Sequence, residues 1–240
     1  MLTAGAALTM PDFSGSAARR PQHSRLAAAR LLPKTGRTMD LPTADASSKA
    51  ALRREMRERL RLCREDQLAR WSGQLIAQLK AHACTWPKPG VIGLFGGLRS
   101  EPDLLGEFLP WLHRQGWQAA LFAVQNQRLV AKRIESLAQC QRGSLGVWEP
   151  APETSTLGLE DLRVLLVPAL AYSSRDGRRL GRGGGFYDRL LADPRLRAQC
   201  LGIAYEIQLR DSIPCEAHDA CLKWILTETR CLETHSAAQA

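Results

Sequence analysis

Val164-Leu165-Leu166-Val167-Pro168 and, after a short polar connection, Arg179-Leu180-Gly181-Arg182-Gly183-Gly184-Gly185-Phe186-Tyr187-Asp188 are the stretches that decide how this chain is read. The first is a short apolar run of the kind that forms a buried strand. Beyond the second, Tyr187, Leu190 and Leu191 share one helical face. A strand, a glycine-rich loop flanked by arginines and a helix start together favour an anion. Glycines let backbone approach a ligand closely, and free N–H groups at a helix start point at negative charge. Arg179 and Arg182 add forked donors matched to phosphate oxygens. Asp188 is a hard oxygen ligand placed where a phosphate-bound magnesium ion would sit. The plainer alternative is a flexible turn with solvated arginines.

The loop lacks Gly-x-x-x-x-Gly-Lys-Ser/Thr, so it is not a P-loop. Gly181, Gly183 and Gly185 alternate, which does not match the Gly-x-Gly-x-x-Gly of dinucleotide-binding folds. No Gly-x-Ser-x-Gly elbow and no His-Glu-x-x-His zinc motif occurs.

The chain has 240 residues, 45% of them hydrophobic, enough for one sizeable core. No apolar run approaches the ~20 residues that span a bilayer. Seven cysteines without a Cys-x-x-Cys pair do not suit a disulfide framework and predict reduced thiols in the cytoplasm. The net charge of +9 raises the question of nucleic acid. Nine Lys or Arg against four acids lie between residues 49 and 80, where Trp71 falls on the inward stripe of the second helix and no series of aromatics is interleaved to stack on bases. Polyanionic small molecules fit such a face at least as well.

Residues 1–48 are rich in Ala, Ser, Pro and Arg and show no periodicity. They predict a disordered extension, a start placed ahead of a true Met39, or a weak targeting signal, the last opposed by Asp12, Asp40 and the prolines. Residues 49–240 predict one domain. A helix capped by Ser47 or Ser48 carries Leu52, Met56, Leu60 and Cys63 on one stripe, and a second runs from Leu68 to Ala83. Strands are expected at Val91–Phe95, Ala119–Val124, Leu129–Ile134, Val164–Val167, Leu201–Tyr205 and Trp224–Thr227, with a helix at Leu104–Arg114 and a long loop over 140–160. This alternation predicts an α/β fold, a three-layer sandwich with a mostly parallel central sheet flanked by helices.

The loop resembles the signature of the 5-formyltetrahydrofolate cyclo-ligase family, Arg-Leu-Gly-Arg-Gly-x-Gly-Tyr-Tyr-Asp after a strand ending in Val-Pro. Here the one change is Phe186 for the first Tyr, and three further blocks follow the family order. Lys49-Ala50-Ala51-Leu52-Arg53 matches its ATP-contacting Lys-x-x-Leu-Arg. Leu94 to Asp103 carries Gly96 and, at the family's folate-contacting Glu, Glu101. Pro214 to Asp219 ends on the Asp that the family associates with magnesium. Pro102 and Lys223 depart from the pattern. His218 has no second His at ligand spacing, so a transition metal is not indicated.

The resemblance implies an ATP-dependent ligase that closes 5-formyltetrahydrofolate to 5,10-methenyltetrahydrofolate. ATP contacts then fall on residues 49–53 and on Arg179, Leu180, Gly181, Arg182, Gly183, Gly184, Gly185, Phe186 and Tyr187. Substrate contacts fall on Gly96, Glu101 and residues 182–186, catalysis on Arg182, and Mg²⁺ on Asp188 and Asp219. The expected partners are ATP and a folate that can be polyglutamylated, with neither nucleic acid nor membrane, and the expected state is a monomer. A non-ligase enzyme on a similar sheet and a basic nucleotide- or RNA-binding module remain as alternatives.

Overall fold

Two helices open the described part of the chain, which in this computed structural model comprises residues 44–84, 86, 90–143, 146–214, 216 and 219–235. Met39 and the segment around it, and His218, lie outside the described residues. Helix α1 (Ala44–Leu62) buries Met56 and Leu60, with Leu52 packed alongside, and leaves most of its arginines exposed, Arg53 being half-buried. It starts ahead of the Ser47/Ser48 cap read from sequence, and so ahead of the division drawn between residues 48 and 49. Helix α2 (Glu65–Ala83) has Glu65 and Asp66 in its first turn and Lys80 and His82 in its last, the arrangement its dipole favours.

Strand β1 (Val91–Gly93) is shorter than expected; Leu94 N still donates to Ala120 O at 2.8 Å, and Gly96 and Gly97 then turn the chain at positive φ. A π-helical turn (Leu104–Phe108) leads into helix α3 (Leu109–Arg114), and strands β2 (Gln118–Gln125) and β3 (Arg128–Ile134) follow as an antiparallel pair. Their connection is Asn126-Gln127, both at positive φ, as a two-residue hairpin of matching twist requires. The stretch read as a long loop contains a hairpin instead, β4 (Cys140–Arg142) paired with β5 (Trp148–Pro150). Three-residue strands are too short to show an alternation, which is why the pattern missed them.

Then come β6 (Leu162–Pro168), β7 (Ala171–Ser173), β8 (Arg179–Leu180), helix α4 (Phe186–Leu191), β9 (Gln199–Ile203), β10 (Leu209–Arg210), β11 (Trp224–Leu226) and β12 (Cys231–Glu233). The central sheet has seven strands in the order β12-β11-β9-β6-β1-β2-β3. The five inner strands are parallel and both edge strands antiparallel. Burial along β6 is unbroken from Val164 to Val167, as it must be where both faces are covered. Leu165 and Val167 join the cluster that holds Leu190 of α4, and the alternate residues Val164 and Leu166 are buried on the opposite face. That is the expected layered α/β architecture. Among the described residues no helix is long and apolar enough to cross a membrane.

Topology places the site. From β1 the chain moves to β2 on one side, whereas from β6 it moves to β9 on the other, and β1 and β6 are neighbours. Open α/β sheets bind ligands in the crevice beyond the carboxyl ends of such a pair.

Helix α1 is anchored by Met56, fully buried against Leu170, Ala171, Leu180 and Ile213 beside the β7–β8 hairpin. Met56→Ala should therefore destabilise the protein by about 2–5 kcal/mol, seen as a lowered Tm in thermal melts. Leu62→Ala, at a position 67% exposed, should stay within about 0.5 kcal/mol of wild type.

Candidate active site

The glycine loop leaves β8 and enters α4 exposed at Arg182, Gly183 and Gly184. Gly183 takes φ +113° and Gly185, at the helix N-cap, φ +64°, values that exclude most side chains. Three arginines occupy the loop's carbonyls. Arg53 donates to Gly181 O at 3.0 Å, Arg57 to Arg182 O at 3.0 Å, and Arg189 to Gly184 O at 2.9 Å. No described residue accepts from the amides of residues 182–185. A loop with neutralised carbonyls and uncommitted amides is suited to an anion.

Lys49, one turn before Arg53, is buried, with its Nζ 2.6 Å from Asp219 Oδ2 and 3.0 Å from Glu216 Oε1. Burial disfavours the ammonium, but the hydrogen bonds and charges of Asp219 and Glu216 outweigh this and hold its pKa above the ordinary value. The fold thus brings the first block against both the loop and the fourth block. Ala50 and Ala51 are exposed beside them.

Between the glycine loop and the β1 exit lies a cavity of about 340 Å³. Its walls are largely apolar, among them Phe95, Leu121, Phe122 and Phe186, and Gly96 and Gly184 bring backbone to the edge. Glu101 lies in it with a side chain only 10% exposed, 3.5 Å from Arg182 Nη2. It also accepts from Leu98 N. Burial pushes the Glu101 carboxyl above the usual carboxylate range, against the opposing pull of Arg182 and the Leu98 amide. Two residues from separate blocks, Glu101 and Arg182, thus meet in one site. Tyr187 is stacked edge-on to Phe122 at 6.3 Å, and burial drives its phenol pKa well up.

Other predicted residues are placed differently. Leu180 is core, 1% exposed, so any ligand contact it makes is through backbone. Arg179 is buried and donates to Asp188 Oδ1 at 2.6 Å and to Pro168 O at 3.2 Å, which commits much of its guanidinium inside the protein. Asp188 stands in the first turn of α4 without capping it. Asp188 and Asp219 therefore face different cations, Arg179 and Lys49.

Among the described residues no three of His, Cys, Asp and Glu form a metal cage. Isolated carboxylates of this kind fit magnesium, which takes one or two from a protein and completes its shell with phosphates and water. Lys223, one departure from the family pattern, pairs with Glu233 on the edge strand β12.

Trp148 is the wall residue that sequence reasoning missed. Its amide donates to Gly96 O at 3.0 Å, and Arg142 lies 4.0 Å over its ring. Only the isolated tryptophan in a polar stretch signalled it.

The model of the 5-formyltetrahydrofolate cyclo-ligase family matches residues 45–228. The chain is 44% identical over 88 residues to the 5-formyltetrahydrofolate cyclo-ligase of Mycolicibacterium smegmatis, covering 35% of this chain and 44% of that protein. Identity to the mouse 5-formyltetrahydrofolate cyclo-ligase is 24% over 194 residues, 76% of this chain and 94% of that protein. The solved structure of Aquifex aeolicus 5,10-methenyltetrahydrofolate synthetase matches with a TM-score of 0.66 at 27% identity, covering 77% of this chain and 92% of that one. The chain spans about half the length of the bacterial curated relatives it matches. Because the family match runs from the first turn of α1 to Glu228 and takes in every block that converges on the crevice, the chain belongs to the 5-formyltetrahydrofolate cyclo-ligase family.

Proposed function

We propose that the chain catalyses the ATP- and Mg²⁺-dependent cyclisation of 5-formyltetrahydrofolate to 5,10-methenyltetrahydrofolate, with release of ADP and phosphate. The observation that carries this reading is the meeting of Glu101 and Arg182 in an apolar cavity. A carboxylate there can accept two N–H bonds from the edge of a flat pterin ring. The arginine beside it belongs to the loop that presents free amides to phosphate.

An N-formyl group is an amide, and its oxygen leaves badly. In the proposed reaction that oxygen attacks the γ-phosphorus of ATP and ADP departs. The second folate nitrogen then attacks the activated formyl carbon, the ring closes, phosphate carries the former formyl oxygen away, and the nitrogen's proton is lost. Positioning and charge stabilisation do most of the work in such phosphoryl transfers.

Here residues 49–53 and 179–187 hold ATP, with Lys49 and Arg53 on its α1 side. Gly96, Glu101 and residues 182–186 hold the folate. Arg182, 42% exposed at its side chain and in reach of Glu101, stabilises charge on the transferring phosphoryl group. Mg²⁺, held through Asp188 and Asp219, would neutralise the phosphates. The protein acts as a monomer on small molecules in the cytoplasm. The six described cysteines, all free thiols, are in keeping with a reducing compartment.

Mixing protein, Mg-ATP and 5-formyltetrahydrofolate should generate the methenyl-folate absorbance band with one ADP per product. ATP-independent behaviour, or no turnover, would defeat the proposal.

Glu101 binds the ring as a carboxylate, and its pKa is raised, so lowering pH towards the ordinary carboxylate range protonates it early. KM for the folate should climb as pH is lowered, beginning above the ordinary carboxylate range. Glu101→Gln should have a high KM at neutral pH and a flat acid limb, because its amide offers one acceptor and a misplaced donor. Parallel pH profiles for the two proteins would count against this role.

Asp188→Asn separates a metal role from the pair with Arg179. Both roles predict loss, since the change leaves a buried guanidinium without its counter-charge. If Asp188 also holds magnesium, apparent Mg²⁺ affinity should drop roughly 10- to 100-fold and excess Mg²⁺ should restore part of the turnover. A lowered Tm with no response to Mg²⁺ would leave Asp188 as Arg179's partner alone.

A further inference from the structure

We propose that a polar cleft built around Arg142 binds the glutamyl carboxylates of the folate, an inference that rests on the cyclo-ligase reading above. The cleft, about 350 Å³, adjoins the ring cavity and shares Gly96, Leu98, Glu101 and Trp148 with it. A ligand whose flat ring meets Glu101 therefore has a continuous path across Trp148 into the second space. Its lining is more polar than apolar, in contrast to the ring cavity. Folates carry such a division themselves, a flat ring system at one end and one or more glutamates at the other.

Two acids and two cations line the cleft, and they differ in how far each is already partnered. Both acids have partners. Asp103 accepts from Gly106 N at 2.8 Å, and Glu101 accepts from Leu98 N and faces Arg182. Of the two cations Arg142 is the less committed. Arg99 donates to Arg61 O at 3.5 Å and to Cys63 O at 2.8 Å and stands 3.8 Å from the exposed Glu65. Arg142 uses Nη1 alone, donating to Gly97 O at 2.5 Å and Gly146 O at 2.8 Å. Among the described residues no carboxylate pairs with it, and its Nε and Nη2 make no hydrogen bond.

Arg142 is also held in place. Its guanidinium stacks 4.0 Å over Trp148, whose amide is fixed to Gly96 O. Gly97 makes this close approach possible, because a Cβ there would lie 2.5 Å from Trp148 N and 3.0 Å from Arg142 Nη1. An arginine pinned by one nitrogen, with the Nε–Nη2 edge open, is preorganised to take a carboxylate bidentately. A polyglutamyl tail would present several such groups, one of which the open edge of Arg142 can take.

The test compares kcat and KM of wild type, Arg142→Gln and Arg142→Lys on three substrates: 5-formyltetrahydrofolate with one glutamate, with five, and the 5-formyltetrahydropteroate that has none. Wild-type KM should fall as glutamates are added. Arg142→Gln should raise KM for the glutamylated substrates about tenfold with kcat unchanged, and leave the pteroate unaffected. Arg142→Lys should fall between, and rising salt should erase the difference for glutamylated substrates. An equal loss on the pteroate would mean that Arg142 only braces the β4–β5 hairpin, and a shift in KM for ATP instead would place phosphate in the cleft. Either result overturns the proposal while wild-type turnover still upholds the ligase reading, whereas a wild type inactive on all three substrates removes that reading first.

Discussion

The site depends on how the carbonyls of the glycine loop are held. A chain run containing Gly183, Gly184 and Gly185 has no side chains to fix it and many conformations to choose from. Arg53 and Arg57 from α1 and Arg189 from α4 each take a loop carbonyl, which fixes the loop and cancels the negative ends of its peptide dipoles. What remains directed outward is the positive side of the backbone. Part of the basic charge that a composition analysis assigns to a solvated helix face is therefore spent on backbone geometry. The shape of the loop therefore depends in part on α1, which docks through the apolar pair Met56 and Leu60.

The second constraint is electrostatic. Arg179 with Asp188, Lys49 with Asp219 and Glu216, and Arg182 with Glu101 form three opposed pairs around one crevice. They differ in burial. Arg179 is almost wholly enclosed, so its pair with Asp188 is chiefly a condition of folding, in which each charge makes the other tolerable. Arg182 is partly open, and its pair with Glu101 can be exchanged for contacts with a ligand. Burial raises the carboxyl of Glu101 even beside that arginine.

Much of this was legible in the chain. The apolar run at 164–168, the glycine loop and the helix beyond it appear where the pattern puts them, because a buried strand and a glycine-dependent turn are local requirements. The antiparallel partner expected at Leu129–Ile134 is found at Arg128–Ile134. The hairpin at 140–150 was not legible, and with it went Trp148 and Arg142, because strands of three residues leave no period. The motif marks Leu180 and Arg179 as ligand contacts, and burial limits Leu180 to a backbone contact and commits much of the Arg179 guanidinium to Asp188 and Pro168. A motif records proximity along the chain and carries no information about which side of the backbone faces solvent.

By itself, then, the sequence determined the fold class, the layered order of strands and helices, the glycine loop and the blocks that accompany it, since periodicity, glycine spacing and charge type are properties of short segments. Only the tertiary structure decided which charges are partners and which are free for a ligand. Lys49 and Asp219 are 170 positions apart and Arg57 and Arg182 are 125 apart, yet each pair is in hydrogen-bond contact. Such contacts are set by how α1 packs on the β7–β8 hairpin and by where the sheet reverses its strand order. Both are global properties of the packed chain, and no local pattern encodes them.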